Sequence, residues 1–151
     1  MAQLIQPILD TFKLLLQSMD ASTLGDLQPF AEVKSAGVSF NFPYASVEPG
    51  KTVFDPTQDQ AAAQGHSIVI QIGVSGTDPE ALKTTCVAYA QAVWTAIGAW
   101  WPASQWPSPA VAGMNVKEIF VMSIEYSNTY SNGAMFSRYV DLTCIVGVEE
   151  Y

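Results

Sequence analysis

The chain has 151 residues, of which 49% are apolar and only 13% charged, with a formal net charge of -8 and a sequence pI near 4.3. That length suits a single domain over residues 1–151 with one core, and so low a charge content implies that part of the surface meets other protein. The six basic residues, Lys13, Lys34, Lys51, Lys83, Lys117 and Arg138, are scattered, which excludes a protein that grips phosphate backbones through a cationic patch; an acidic surface fits ordinary solubility or a wall past which nucleic acid slides without sticking.

From the N-terminus, Leu4, Ile5, Ile8, Leu9, Phe12, Leu15, Leu16 and Met19 recur at spacings of three and four, which places them on one stripe of an amphipathic helix. Pro7 suits a first turn, so the regular helix begins around Gln6, and Asp20, Ser22 and Gly25 close it. The stretch is no secretory signal, because it lacks a basic start and is interrupted by Asp10 and Lys13. Nowhere is a run apolar enough for long enough to span a bilayer, so no membrane partner is expected.

Short strands are expected next, at residues 29–34 and 38–42 and on either side of Glu48-Pro49-Gly50-Lys51. That tetrapeptide carries Pro and Gly where a type II turn wants them, and predicts a small hairpin. Pro43 and Pro49 each remove a ladder donor, which places these strands at an edge. Residues 55–65 are rich in Gln, Asp and Ala with no apolar period. They read as a mobile arm, with Asp55, Gln58, Asp59, Gln60 and Gln64 as its candidate contact residues.

An apolar strand over residues 67–74 leads to the best-defined helix. Asp78 is a good N-cap with Pro79 at the first helical position, while Thr77 with Glu80 offers a competing capping box. Leu82, Cys86, Tyr89, Val93, Ile97 and Trp100 form its apolar stripe; Ala81, Thr84, Thr85, Ala88, Gln91, Ala92 and Thr95 form a second face of small residues. Small residues admit close approach, which makes Thr84, Ala88 and Ala92 candidate interface positions. Trp100-Trp101-Pro102 ends the helix, and a loop with Trp106, Pro107 and Pro109 follows. Trp100, Trp101 and Trp106 are read either as a partner contact, as a plug at the end of the core, or as an aromatic platform for a small ligand.

The last third of the chain is a pair of long alternating strands, residues 116–126 and 135–148. Phe120, Met122, Ile124 and Tyr126 alternate against Val121, Ser123 and Glu125, and one face of the pair belongs to the core. Asn132-Gly133 suits the centre of a type I′ turn, within a loop that the polar stretch from Ser127 could lengthen.

No constellation for catalysis accompanies this layout. His66 lacks a carboxylate or nucleophile in any recognisable motif and reads as solvent-facing or locally hydrogen-bonded. Cys86 and Cys144 sit on apolar faces, too far apart for metal-ligand spacing, and are expected to be buried, inert thiols in a reducing compartment. Asp55 with Asp59, and Glu149 with Glu150, lack the ligand spacing and turn glycine of a calcium loop. Gly73 and Gly76 are not followed by the Lys-Ser or Lys-Thr of a phosphate loop. The expectation is therefore no catalytic, cofactor-binding or metal residues, no cofactor, and a role in assembly.

The elements add up to an α+β fold, a mixed but mainly antiparallel sheet with an N-terminal helix and a long central helix packed on it. In this layout the chain resembles the bacteriophage tail terminator family, the minor tail proteins that cap the tail tube and join it to the neck. The resemblance is carried by the helix ending near Met19, the early strands to Phe54, the segment 55–65, the strand 67–74 with Thr77-Asp78-Pro79-Glu80 opening a helix, and the closing hairpin. It implies a virion tail protein assembled in the host cytoplasm, a homo-oligomeric hexamer ring, contacts with a tail tube protein and a neck or connector protein, and DNA passing through the lumen without specific binding. The Trp-rich loop has no counterpart in the family's layout. Two alternatives stay open: a head–tail neck or connector completion protein, and a monomeric glycan- or ligand-binding module using Trp100 to Trp106.

Overall fold

The computed structural model describes residues 5–35, 37, 41–54, 63–100 and 114–150. Helix α1 (Ile5–Ser18) buries Ile8, Phe12 and Leu16, the stripe its spacing dictates. Asp20 then does more than end it. Its carboxylate accepts from the Ser22 amide while the Thr23 hydroxyl accepts from the Asp20 amide, a reciprocal cap that opens the one-turn helix α2 (Ala21–Leu24). Strands β1 (Glu32–Lys34), β2 (Tyr44–Phe54) and β3 (Ala63–Gly76) follow, then helix α3 (Pro79–Gly98), strand β4 (Met114–Tyr126), the short β5 (Tyr130–Asn132) and β6 (Met135–Glu150).

The strands form one sheet in the order β1-β2-β3-β6-β4, with β5 paired to β6. β1 runs parallel to β2 and the other pairs are antiparallel, which makes the sheet mixed but mainly antiparallel and the fold α+β. Strands β3 and β6 are central, and alternate residues along them, Ile68, Ile70, Ile72, Val140, Leu142, Cys144 and Val146, are fully buried. These residues share one cluster with Ile8, Phe12 and Leu16 of α1 and with Leu82, Cys86, Tyr89 and Val93 of α3, so both long helices lie on the same face of the sheet.

Two sequence expectations are corrected by the pairing. Glu48-Pro49-Gly50-Lys51 is not a hairpin turn: β2 runs through it, and the pairing with β3 slips only between Pro49 and Thr52. The Ser67 hydroxyl fills this bulge, accepting from the Lys51 amide at 2.7 Å and donating to the Lys51 carbonyl at 3.1 Å. Gly50 is required there, because a Cβ would lie 2.7 Å from Ser67 Oγ. Of the strand expected at 29–34, only Glu32–Lys34 forms; residues 38–40 lie outside the described residues and Asn41–Phe42 is a bend.

The second correction concerns the phase of β4. Its pairing with β6 slips between Val116 and Glu118 and again between Val121 and Ser123. A bulge inserts one residue and so switches the face of everything beyond it. The core side of β4 is therefore Val116, Ile119, Val121 and Ile124, while Phe120 and Met122 are exposed. The β5–β6 turn is centred on Gly133-Ala134, one residue later than expected, with Asn132 paired to Met135 and Gly133 at φ 67°.

Candidate assembly surfaces

Helix α3 begins as its sequence requires: Asp78 is the N-cap and its carboxylate accepts from the Glu80 amide at 3.0 Å, with Pro79 directly inside. The outward side of the helix is small and polar. Thr84 is exposed, and Ala88 and Ala92 are half-buried. Two large apolar residues that the small-residue reading passed over stand on the same helix, Val87 and Trp94, the latter 54% exposed.

Trp100 is not available as an interface residue in the free chain, which corrects that expectation. It is buried, and its ring meets Phe12 of α1 edge-on at a centroid separation of 5.1 Å. It plugs the end of the core between the two helices. Trp101 and Trp106 lie outside the described residues, as do Asp55, Gln58, Asp59 and Gln60. Gln64, expected in the mobile arm, is instead a buried residue of β3, paired with Phe54 on one side and Val148 on the other.

Among the described residues no helix covers the opposite face of the sheet, and a row of polar groups crosses it. Register aligns Ser46, Gln71, Asp141 and Glu125 on four successive strands. Tyr44 donates to Gln71 Oε1 at 2.8 Å, and Gln71 in turn hydrogen-bonds Asp141. Burial first, and then the like charges of Glu125 and Glu48, raise the pKa of Asp141 above its ordinary value, and its Oδ1 is buried without a hydrogen-bond partner.

His66 is buried rather than solvent-facing, and its Nδ1 lies 2.9 Å from the Thr52 hydroxyl. Its Nε2 has no partner, and burial lowers its pKa from 6.5. Both cysteines are free and buried; burial pushes Cys86 up to about 11 and Cys144 to about 12, which keeps them protonated and unreactive at neutral pH. Among the described residues no three His, Cys, Asp or Glu side chains are grouped so as to hold a metal ion, and no helix is long and apolar enough to cross a membrane.

Several of the exposed large apolar residues lie at the two edges of the sheet. Val53 and Phe54 lie at the end of β2, and Phe120 and Met122 lie on β4. Beside β4, Trp94, Ile97 and Gly98 of α3 and Ile119, Phe120 and Val121 line an open pocket of about 380 Å³. No motif marks these surfaces in the sequence, because which strands form the edges depends on strand order.

No family model and no curated protein matches the chain. Among solved structures, it is similar to a chain in the virion of a native gene transfer agent (GTA) particle, with 17% identity, 91% of each chain covered and a TM-score of 0.56. The chain thus shares its fold with a component of a virion particle.

Proposed function

We propose that this chain is a structural protein of a phage-like particle, a terminator-type subunit that closes into a ring on the end of a tail tube, stops its elongation and joins the tail to the neck. The observation that carries this reading is the fold shared, over nearly the whole length of both chains, with a virion particle component. The exposed apolar residues at both sheet edges support it, because a lone soluble chain gains nothing from displaying them together.

The reading makes the partners a second copy of the chain in a hexamer ring, a tail tube protein and a neck or connector protein, with DNA passing through the lumen without specific binding. A head–tail neck or connector completion protein of the same fold stays the alternative reading. The glycan-platform alternative loses support, since Trp100 is spent in the core. The deciding experiment is negative-stain imaging of the purified protein alone and mixed with tail tubes. Rings at tube ends are expected, and tubes that stop growing when the protein is added. Monomers only, in both preparations, would overturn the reading.

A further inference from the structure

Among the described residues, each edge of the sheet is unpaired over part of its length. β1 pairs only with Tyr44–Ser46 of β2, leaving the rest of that strand without a described neighbour on that side. At the opposite edge, among the described residues, β4 pairs with β6 alone. The bulges shorten both free edges: beyond the slip between Pro49 and Thr52, β2 offers residues 52–54, and between its two slips β4 offers residues 118–121. Bulges at an edge discourage indiscriminate pairing and confine it to a chosen window.

The two windows match in three ways. They lie at one level, because the register runs Thr52, His66, Val146, Ile119 in one row and Val53, Gly65, Gly147, Glu118 in the next. They run in opposite directions, because three antiparallel pairings separate β2 from β4. A second copy, the same way up, therefore brings its β2 beside β4 as one more antiparallel strand. Finally, a projecting group faces a recess. Phe54 is 51% exposed, and its ladder partner Gln64 puts it on the helix-covered side of the sheet, the side on which the pocket between α3 and β4 opens.

Resting on the ring reading above, we propose that copies of this chain join head to tail, residues 52–54 of one adding to residues 118–121 of the next, with Phe54 seated in that pocket against Trp94. The two surfaces differ and sit at opposite edges of one chain. Such a contact is heterologous and closes into a ring when the rotation between copies permits. A pocket-on-pocket pairing of two β4 edges would leave Phe54 in water.

The test uses Phe54→Asp, Trp94→Asp and, as a control, Met135→Asp, at the far end of β6 from the row that holds both windows. All three side chains are exposed, so the melting curves should match the wild type. Sedimentation velocity is then run with and without tail tubes. Each edge variant should weaken self-association by about 100-fold in Kd, the scale of an aromatic anchor, and Met135→Asp should assemble normally. An equimolar mixture of the two edge variants keeps one intact pair of surfaces and should stop at a heterodimer, which an isologous contact cannot produce. As a second measurement, oxidising assembled mixtures of Phe54→Cys and Trp94→Cys chains should cross-link different copies. Rings formed by either Asp variant at wild-type affinity, or assembled Cys mixtures without cross-links, would overturn this interface and leave the ring reading standing. A wild-type chain that stays monomeric even on tubes overturns the ring reading itself.

Discussion

Gly73 is the residue at which sequence and structure part most instructively. In the sequence, Gly73 and Gly76 invite comparison with a phosphate loop and fail it; in the fold, Gly73 is a central strand residue opposite the fully buried Tyr44. A Cβ there would come within 2.2 Å of the Tyr44 ring, which is itself hemmed in by Phe42 and Tyr139 and tied to Gln71. Nothing in the local sequence shows this, because Tyr44 is brought in from another strand. Gly73→Ala should lower unfolding stability by about 1–3 kcal/mol, the cost of overpacking a filled site. Urea melts would measure it, and a change within error would mean that the ring can move aside. Burial of His66 was equally hidden, since a lone polar residue at an element end carries no period that tells inside from outside, whereas Trp100 continues the apolar stripe of α3 and is buried with it.

At the level of elements, the long segments were legible and the irregularities were not. Helix α3 is announced by its cap, its proline and its stripe, and β3 and β6 by their alternation. The phase of β4 was unreadable because two bulges reverse it, and a bulge depends on the partner strand. Likewise Pro49-Gly50 reads as a turn, until the Ser67 hydroxyl on the next strand is seen to complete the gap. The polar row across the uncovered face is another product of register. In it Asp141 keeps a raised pKa, so the native state holds its proton at pH values where the unfolded chain has lost it. Stability from this group consequently falls as pH rises through the interval between 3.8 and the folded value, and the penalty is fully present above it. Asp141→Asn should raise the melting temperature at about pH 7 and leave it unchanged at about pH 3, where both side chains are neutral. A lower melting temperature at neutral pH would show instead that the carboxylate is stabilising.

At the scale of the whole molecule, the charge balance and the proposed ring pull against each other. Every copy brings a formal charge of -8, of which an ion pair such as that between Lys117 and Glu149, at 3.5 Å, leaves the net value unchanged. Closing copies into a ring concentrates like charge, while the surfaces available to hold them together, Phe54 on one edge and Trp94 with its pocket at the other, are apolar. Repulsion between exposed charges is screened over about 10 Å at 0.1 M salt and over about 3 Å at 1 M, whereas apolar burial is not weakened by salt. Self-association should therefore strengthen as sodium chloride is raised from about 0.05 M to about 0.5 M, a dependence opposite in sign to that of a contact held by ion pairs. Sedimentation equilibrium across that range, with the Phe54→Asp variant as reference, measures it. Tighter association of the wild type at high salt is expected, with little change in the variant. Association that weakens steadily with salt would mean that opposite charges, rather than the two apolar edges, hold the copies together.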